Sequence, residues 1–327
     1  MANHQELADF IKSVHINLRL RSREIGAEAA WEEHCKDHQK LEKYAVTMKE
    51  LATVHWEKNI KIHSDQSGIL WVVDKCNWYF FGEGKGLFIS KELKMASRYS
   101  MTCDFNNVVF GKRISLLDVG SCYNPLSHFP NIVTTAIDLE PADKNVLRCD
   151  FLLVEIGDQL VVEDNSFCKQ LPKEGYDAIL FSLLLEYLPS PRQRFSACKK
   201  AMKLLKKGGL LLILTPDSKH ETANSRLARQ WRLALASLGM WMLTTEKLKH
   251  LRCFTFVKAH DKQIIENWLM FQKVDISFDE AIAIPQDKNP YDDFNCRETE
   301  LSTSHVDNNF MPNTFSQIIG VEDIFDE

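Results

Sequence analysis

Within its 327 residues the chain has no uninterrupted apolar run near the ~20 residues a membrane-spanning helix requires. Its start, Met1-Ala2-Asn3-His4-Gln5-Glu6, is polar and lacks the pattern of a secretory signal. The nine cysteines are odd in number, scattered and never spaced as Cys-x-x-Cys. Neither a disulfide framework nor a zinc ribbon is therefore expected, and reduced thiols of the cytosol or nucleus are. The glycine cluster Gly82-Glu83-Gly84-Lys85-Gly86 lacks Walker spacing and a hydroxyl residue after its lysine. It reads as an interdomain loop. Excess positive charge is also missing, since the formal net charge is -5, and that does not describe a nucleic-acid binder. The acid is uneven, however. Ten Asp or Glu between Asp287 and Glu327 face only Lys288 and Arg297, so the remainder is slightly positive and retains room for a local basic patch.

What is present is an apolar content of 45%, ordinary for a soluble globular protein with a sizeable core. Residues 4 to about 62 read as helical. Ala8, Ile11, Val14 and Leu18 recur at helical spacing, as do Leu41, Tyr44, Met48 and Leu51, with Trp31 upstream. His34 and His38 sit one turn apart, but no third ligand is near, so an ordinary helix surface is expected there. Ile69–Val73 and Trp78–Phe81 form a dense apolar patch, read as the place where the helical part docks on the next domain. A further helix is expected from Lys91 to about Val109. It carries Arg98, either a solvated arginine or a guanidinium for a ligand carboxylate. Beyond about Asp287 the chain is acidic, polar and aperiodic, and reads as a disordered tail in which Phe310, Phe315 or Ile324-Phe325 are short docking motifs.

Between these flanks, strands and helices alternate. Ile114–Val119, Thr135–Leu139, Val146–Cys149, Asp177–Ser182 and Leu210–Thr215 read as strands. Ser190-Pro191-Arg192-Gln193 is a capping box that opens a helix, expected to stop at Lys206-Lys207-Gly208-Gly209. A second helix carries Leu227, Trp231, Leu235 and Leu238, closed by Gly239. Two more strands, Trp241–Thr245 and Arg252–Lys258, make an antiparallel edge pair. The fold class is α/β, with a mostly parallel sheet covered on both faces. The expected divisions are a helical N-terminal domain (1–90), the α/β domain (91–285) and the tail (286–327).

In such a sheet ligands bind beyond the carboxyl ends of the strands, beside the reversal of strand order. Gly120 ends the first strand, where a side chain would occupy ligand space. Asp138 ends the second and is placed to accept from both ribose hydroxyls. Asp150 follows the third and suits an adenine amino group, with Phe151 as an apolar contact, and Ser182 ends the fourth. Each residue alone has a plainer reading as turn former or core. A dinucleotide is disfavoured because Ser121-Cys122-Tyr123-Asn124-Pro125 follows Gly120, without the further glycines that bring a pyrophosphate against a helix N-terminus. A cationic, phosphate-free nucleoside such as S-adenosylmethionine fits better.

Leu116–Ser121, Ala136–Pro141, Cys149-Asp150-Phe151, Phe181–Tyr187 and Leu210–Asp217 resemble the motifs of class I, Rossmann-like methyltransferases. They resemble most the branch that holds the fungal base methyltransferase of large-subunit ribosomal RNA and the animal SAMTOR group of S-adenosylmethionine sensors. Glu50–Ile60, Arg98–Thr102 and Ser190–Arg194 bring the chain closer to the sensors, and the resemblance spans about residues 30 to 290. It implies a cytoplasmic protein that restrains the TOR kinase complex through the GATOR and KICSTOR assemblies, with recruitment to the lysosomal surface. S-adenosylmethionine would break that association, and S-adenosylhomocysteine would compete for the site. Motif matching implies Arg98, Gly120, Asp138, Leu139, Asp150, Phe151 and Ser182 as ligand contacts.

Two functions stay open. A sensor is favoured because the fourth strand ends in Ser182-Leu183-Leu184-Leu185, where adenine-amine methyltransferases place Asn/Asp-Pro-Pro-aromatic. No catalytic residue is assigned. Glu186, the nearest acid, is read as part of the turn into the capped helix. An RNA methyltransferase acting on an adenine ring nitrogen is the alternative, since methyl transfer proceeds largely by positioning. Such an enzyme needs a basic face, against which the acidic tail argues.

Overall fold

A computed structural model describes residues 4–56, 67–103, 105, 110–217, 221–248 and 250–288. Three helices come first: α1 (His4–Ile25), α2 (Ala27–Lys36) and α3 (His38–Glu50), followed by a π-helical turn, Leu51–Trp56. Gly26 separates α1 from α2 at φ 91°, a left-handed backbone that suits a residue without Cβ. Asp37 caps α3 by accepting from the Lys40 N–H. Two further helices, α4 (Gly68–Phe80) and α5 (Gly84–Arg98), precede the sheet.

The sheet comprises β1 (Ile114–Val119), β2 (Ile132–Asp138), β3 (Leu147–Arg148), β4 (Glu155–Gly157), β5 (Val161–Glu163), β6 (Phe167–Pro172), β7 (Tyr176–Ser182), β8 (Leu205–Pro216), β9 (Met240–Lys247) and β10 (Leu251–Lys258). Its order is β4-β6-β3-β2-β1-β7-β8-β10-β9, with β5 on β6. β3, β2, β1, β7 and β8 run parallel, and β10 is antiparallel to both β8 and β9. The chain moves outward one way from β1 to β2 and β3, then the other way to β7 and β8. The β1/β7 junction is thus the reversal point. The remaining helices are α6 (Pro191–Leu204), α7 (Glu221–Ser237) and α8 (Lys262–Met270).

The central strands are apolar throughout because both faces are covered. Leu116, Leu180, Leu212 and Leu214 pack with α4, α5 and α8 through Val72, Tyr79, Phe88, Met95 and Ile264. Leu117, Val119, Ile179, Phe181, Leu211 and Ile213 pack on the other face with α6, and also with Leu18 and Trp31 of the N-terminal helices.

Several expectations change. The apolar run at 69–81 is a helix packed on the sheet of the α/β domain: Tyr79 is fully buried and its hydroxyl donates to the Gly208 carbonyl. The expected glycine loop shrinks to a turn, because α5 already begins at Gly84 and runs to Arg98. α6 ends at Leu204 rather than at the Lys-Lys-Gly-Gly stretch. Gly208 does take the left-handed conformation (φ 70°), but within β8, where the pairing with β7 jumps from Tyr176↔Leu205 to Ala178↔Leu210. Ser190 caps α6 through the Gln193 N–H, yet the Gln193 amide donates to the Ala27 carbonyl and does not close a capping box. β4, β5 and β6, together with α8, are additions. The tail readings, Phe310, Phe315 and Ile324-Phe325 included, lie outside the described residues.

Candidate functional site

Beyond the carboxyl ends of β1, β2, β3 and β7 lies a cavity of about 830 Å³, within the range of small-molecule sites. Gly120, Asp138, Leu139, Asp150, Phe151 and Ser182 all line it. The turn after β1 is bent by three left-handed residues, Gly120 (φ 77°), Cys122 (φ 57°) and Asn124 (φ 57°). The Gly120 and Ser121 N–H groups both donate to the Ile137 carbonyl, which ties this turn to the end of β2. Asp138 then fixes it. Its Oδ2 accepts from the Cys122 N–H at 2.9 Å and its Oδ1 from the Glu140 N–H at 3.0 Å. The Leu139 N–H also favours the ionised carboxylate, which lines the cavity.

Burial raises the carboxyls of Asp138 and Asp118 to about 6 each, against the lowering pull of those backbone N–H groups on the first and of the Ser121 hydroxyl on the second. Phe151 packs edge-on against Phe181 of β7, centroids 5.7 Å apart. Ser182 is exposed to the cavity, and Leu183 after it is held at φ 57° by its N–H bond to Leu214. A leucine in that region costs about 1–3 kcal/mol.

Arg98 is placed elsewhere. It is exposed at the C-terminal end of α5 and is not among the residues lining the cavity. The helix that carries it is anchored through Phe88, Met95 and Ala96 on the sheet face. Glu186 lies in the turn that leads to α6, as expected, but it is only 5% exposed and lines the cavity.

The larger surprise is a roof of N-terminal helices, which lie over the strand ends. Trp31 of α2 donates its indole N–H to Asp150 Oδ2 at 2.9 Å, while Asp150 Oδ1 takes the Leu152 N–H. Arg19 of α1 is buried and donates to the Glu186 carbonyl. Lys49 of α3 reaches Asp143, and the Cys122 thiol reaches the Ala45 carbonyl. Tyr187 meets four rings from the roof, those of His15, Trp31, His34 and Tyr44, with centroids 5.2–5.8 Å away. His34 bonds the Tyr187 hydroxyl, and burial holds its imidazole down at about 4, whereas His38 is exposed. Among the described residues no group of three or more His, Cys, Asp or Glu is arranged to hold a metal ion.

Comparison with known proteins decides the family. The family described as 25S rRNA (adenine(2142)-N(1))-methyltransferase, Bmt2, matches residues 94–311. A Xenopus tropicalis protein named "S-adenosylmethionine sensor upstream of mTORC1" is 36% identical over 313 residues, covering 87% of this chain and 76% of its own. The chain belongs to this family. A Danio rerio protein of the same name is 35% identical over 315 residues, 88% of this chain and 78% of that one. Among solved structures, a Burkholderia thailandensis 1,6-didemethyltoxoflavin-N1-methyltransferase with bound S-adenosylhomocysteine matches at 12% identity and TM-score 0.34, covering 60% of this chain and 90% of that one. Among the described residues no helix is long and apolar enough to cross a membrane.

Proposed function

We propose that this chain binds S-adenosylmethionine beneath its helical roof and acts as a sensor of that nucleoside upstream of the TOR kinase complex. One observation carries the reading. The acids placed for ribose and adenine line the same cavity as the helices of a separate layer, and Trp31 of that layer is bonded to Asp150 itself. A ligand that takes the adenine position therefore adds its bonds to a carboxylate already shared with the roof. It favours one placement of α1–α3 by its differential affinity, and coupling of this kind is typically 1–3 kcal/mol. Asp138 would take the ribose hydroxyls, Asp150 the adenine amine, and Phe151 and Leu139 the apolar faces. The names carried by the relatives support the same reading.

In this proposal the low-ligand form associates with GATOR and KICSTOR in the cytoplasm, and ligand releases it. The test is capture of those assemblies on the full chain with and without added S-adenosylmethionine. Association that ignores the ligand removes the sensor. The family description supports a second reading, methyl transfer to a ring nitrogen of adenine in ribosomal RNA. The roof weighs against it, because a base from a polynucleotide would have to pass beneath helices bonded to the strand ends through Arg19, Trp31 and His34. Release of S-adenosylhomocysteine on incubation with ribosomal RNA would favour that enzyme.

A further inference from the structure

Glu186 follows β7 by four residues and has no role in the site so far. Its Oε1 accepts from the Thr215 hydroxyl at the end of β8. Its Oε2 is buried with no hydrogen-bond partner among the described residues, and the residue lines the cavity. A buried carboxylate oxygen left unpaired is unfavourable unless something in the cavity meets it. Arg19 donates to the Glu186 backbone carbonyl, and Arg194 is held by both oxygens of Asp287. Burial raises the Glu186 carboxyl, while the Thr215 hydroxyl, the residue's own backbone N–H and the charges of Arg194 and Arg19 pull it down.

The order along the sheet edge gives direction. Asp150 follows β3, Asp138 ends β2, Gly120 follows β1, Ser182 ends β7, and Thr215 with Glu186 lies at the β7/β8 end. A nucleoside with its adenine at Asp150 and its ribose at Asp138 points its remaining end along β1 and β7 toward Glu186. In S-adenosylmethionine that end carries a sulfonium cation. In S-adenosylhomocysteine the sulfur is a neutral thioether, and the α-amino and carboxylate groups are unchanged.

We propose that Glu186 reads the sulfonium charge and sets the preference of this chain for S-adenosylmethionine over S-adenosylhomocysteine. The inference rests on the nucleoside site proposed above. Calorimetric titration of wild type and Glu186→Gln with both ligands tests it. Glutamine keeps an oxygen for Thr215 but carries no charge. The expected result is a wild type that prefers S-adenosylmethionine and a variant whose affinity for it falls roughly tenfold or more, with binding of S-adenosylhomocysteine close to wild type. Equal wild-type affinities overturn the proposal without need of any variant. A variant that weakens both ligands alike assigns Glu186 to the shared α-amino group and also overturns it. Either result leaves the nucleoside site standing, whereas a wild type that binds neither ligand removes the site itself.

Discussion

Asp138 offers the sharpest test of the site, because its two oxygens are already partly committed. One lone pair on each goes to a backbone N–H, from Cys122 and from Glu140. A carboxylate has about four acceptor positions, so these bonds and the further pull of the Leu139 N–H leave at least one for the ligand. Hydrogen bonds to a charged group contribute about 1.5–3 kcal/mol. At about 1.4 kcal/mol per decade, losing one such bond weakens binding about tenfold at the low end and beyond a hundredfold at the high end. Alanine is expected to show this loss. Asparagine is expected to be no milder, for a reason specific to this turn. Its amide has a single acceptor oxygen, so its NH2 group must face either the Cys122 or the Glu140 N–H, donor against donor. Calorimetry with S-adenosylmethionine on wild type, Asp138→Ala and Asp138→Asn measures both effects, and melting without ligand checks the fold. Wild-type affinity in both variants refutes the ribose assignment. Full affinity in Asp138→Asn alone refutes the role given to the backbone donors.

The same carboxylate predicts a pH dependence: with Asp138 raised to about 6 by burial, protonation competes with the ligand, so affinity should fall as pH drops through 6. A flat profile from pH 7.5 to 5 would contradict that. In stability the sign reverses, because Asp118 and Asp138 bind protons more readily folded than unfolded, and their contribution is lost as pH rises through about 6. Gly120→Ala should lower both melting temperature and ligand affinity, since φ 77° strains a side chain by about 1–3 kcal/mol and its Cβ would stand 3.3 Å from Leu184; differential scanning fluorimetry with and without ligand reads both. Trp31→Phe removes the donor to Asp150 and should speed hydrogen exchange in α2 while leaving β1 and β7 protected; unchanged exchange in α2 would show that this bond does not hold the roof. Glu92→Ala should cost about 1–3 kcal/mol, because it strips the buried His260 of the acceptor for both its N–H and its ring. Ligand affinity should hold, since neither residue lines the cavity.

The strand ends were readable because each depends on a short local pattern. An apolar run closing at Gly120, Asp138 or Ser182 places that residue at a tip whatever surrounds it, and Asp150 follows from the same count. The roof was not readable, since nothing in Trp31 or Tyr44 says which strand end each will meet. Their spacing marks an apolar helical face and leaves its target open. Ile69–Phe81 announced an apolar contact without naming its partner, and only its packing on Leu116, Leu180 and Leu212 identifies the sheet face it meets. Arg98 had suitable chemistry, but anchoring of α5 through Phe88 and Met95 leaves its last residue at the surface. Glu186 was close to its true place. The turn that carries it does lead into α6, yet Thr215 and Arg19 draw it inward.

The indole bond from Trp31 to Asp150 has a consequence for anything that grips the N-terminal helices. Linkage is reciprocal, so a protein that binds α1–α3 in one placement must change nucleoside affinity by the same factor by which the nucleoside changes its own binding. The concentration at which the cavity fills would then not be a constant of this chain. It would move with the abundance of whatever holds the roof, and the set point of the response would belong to the assembly.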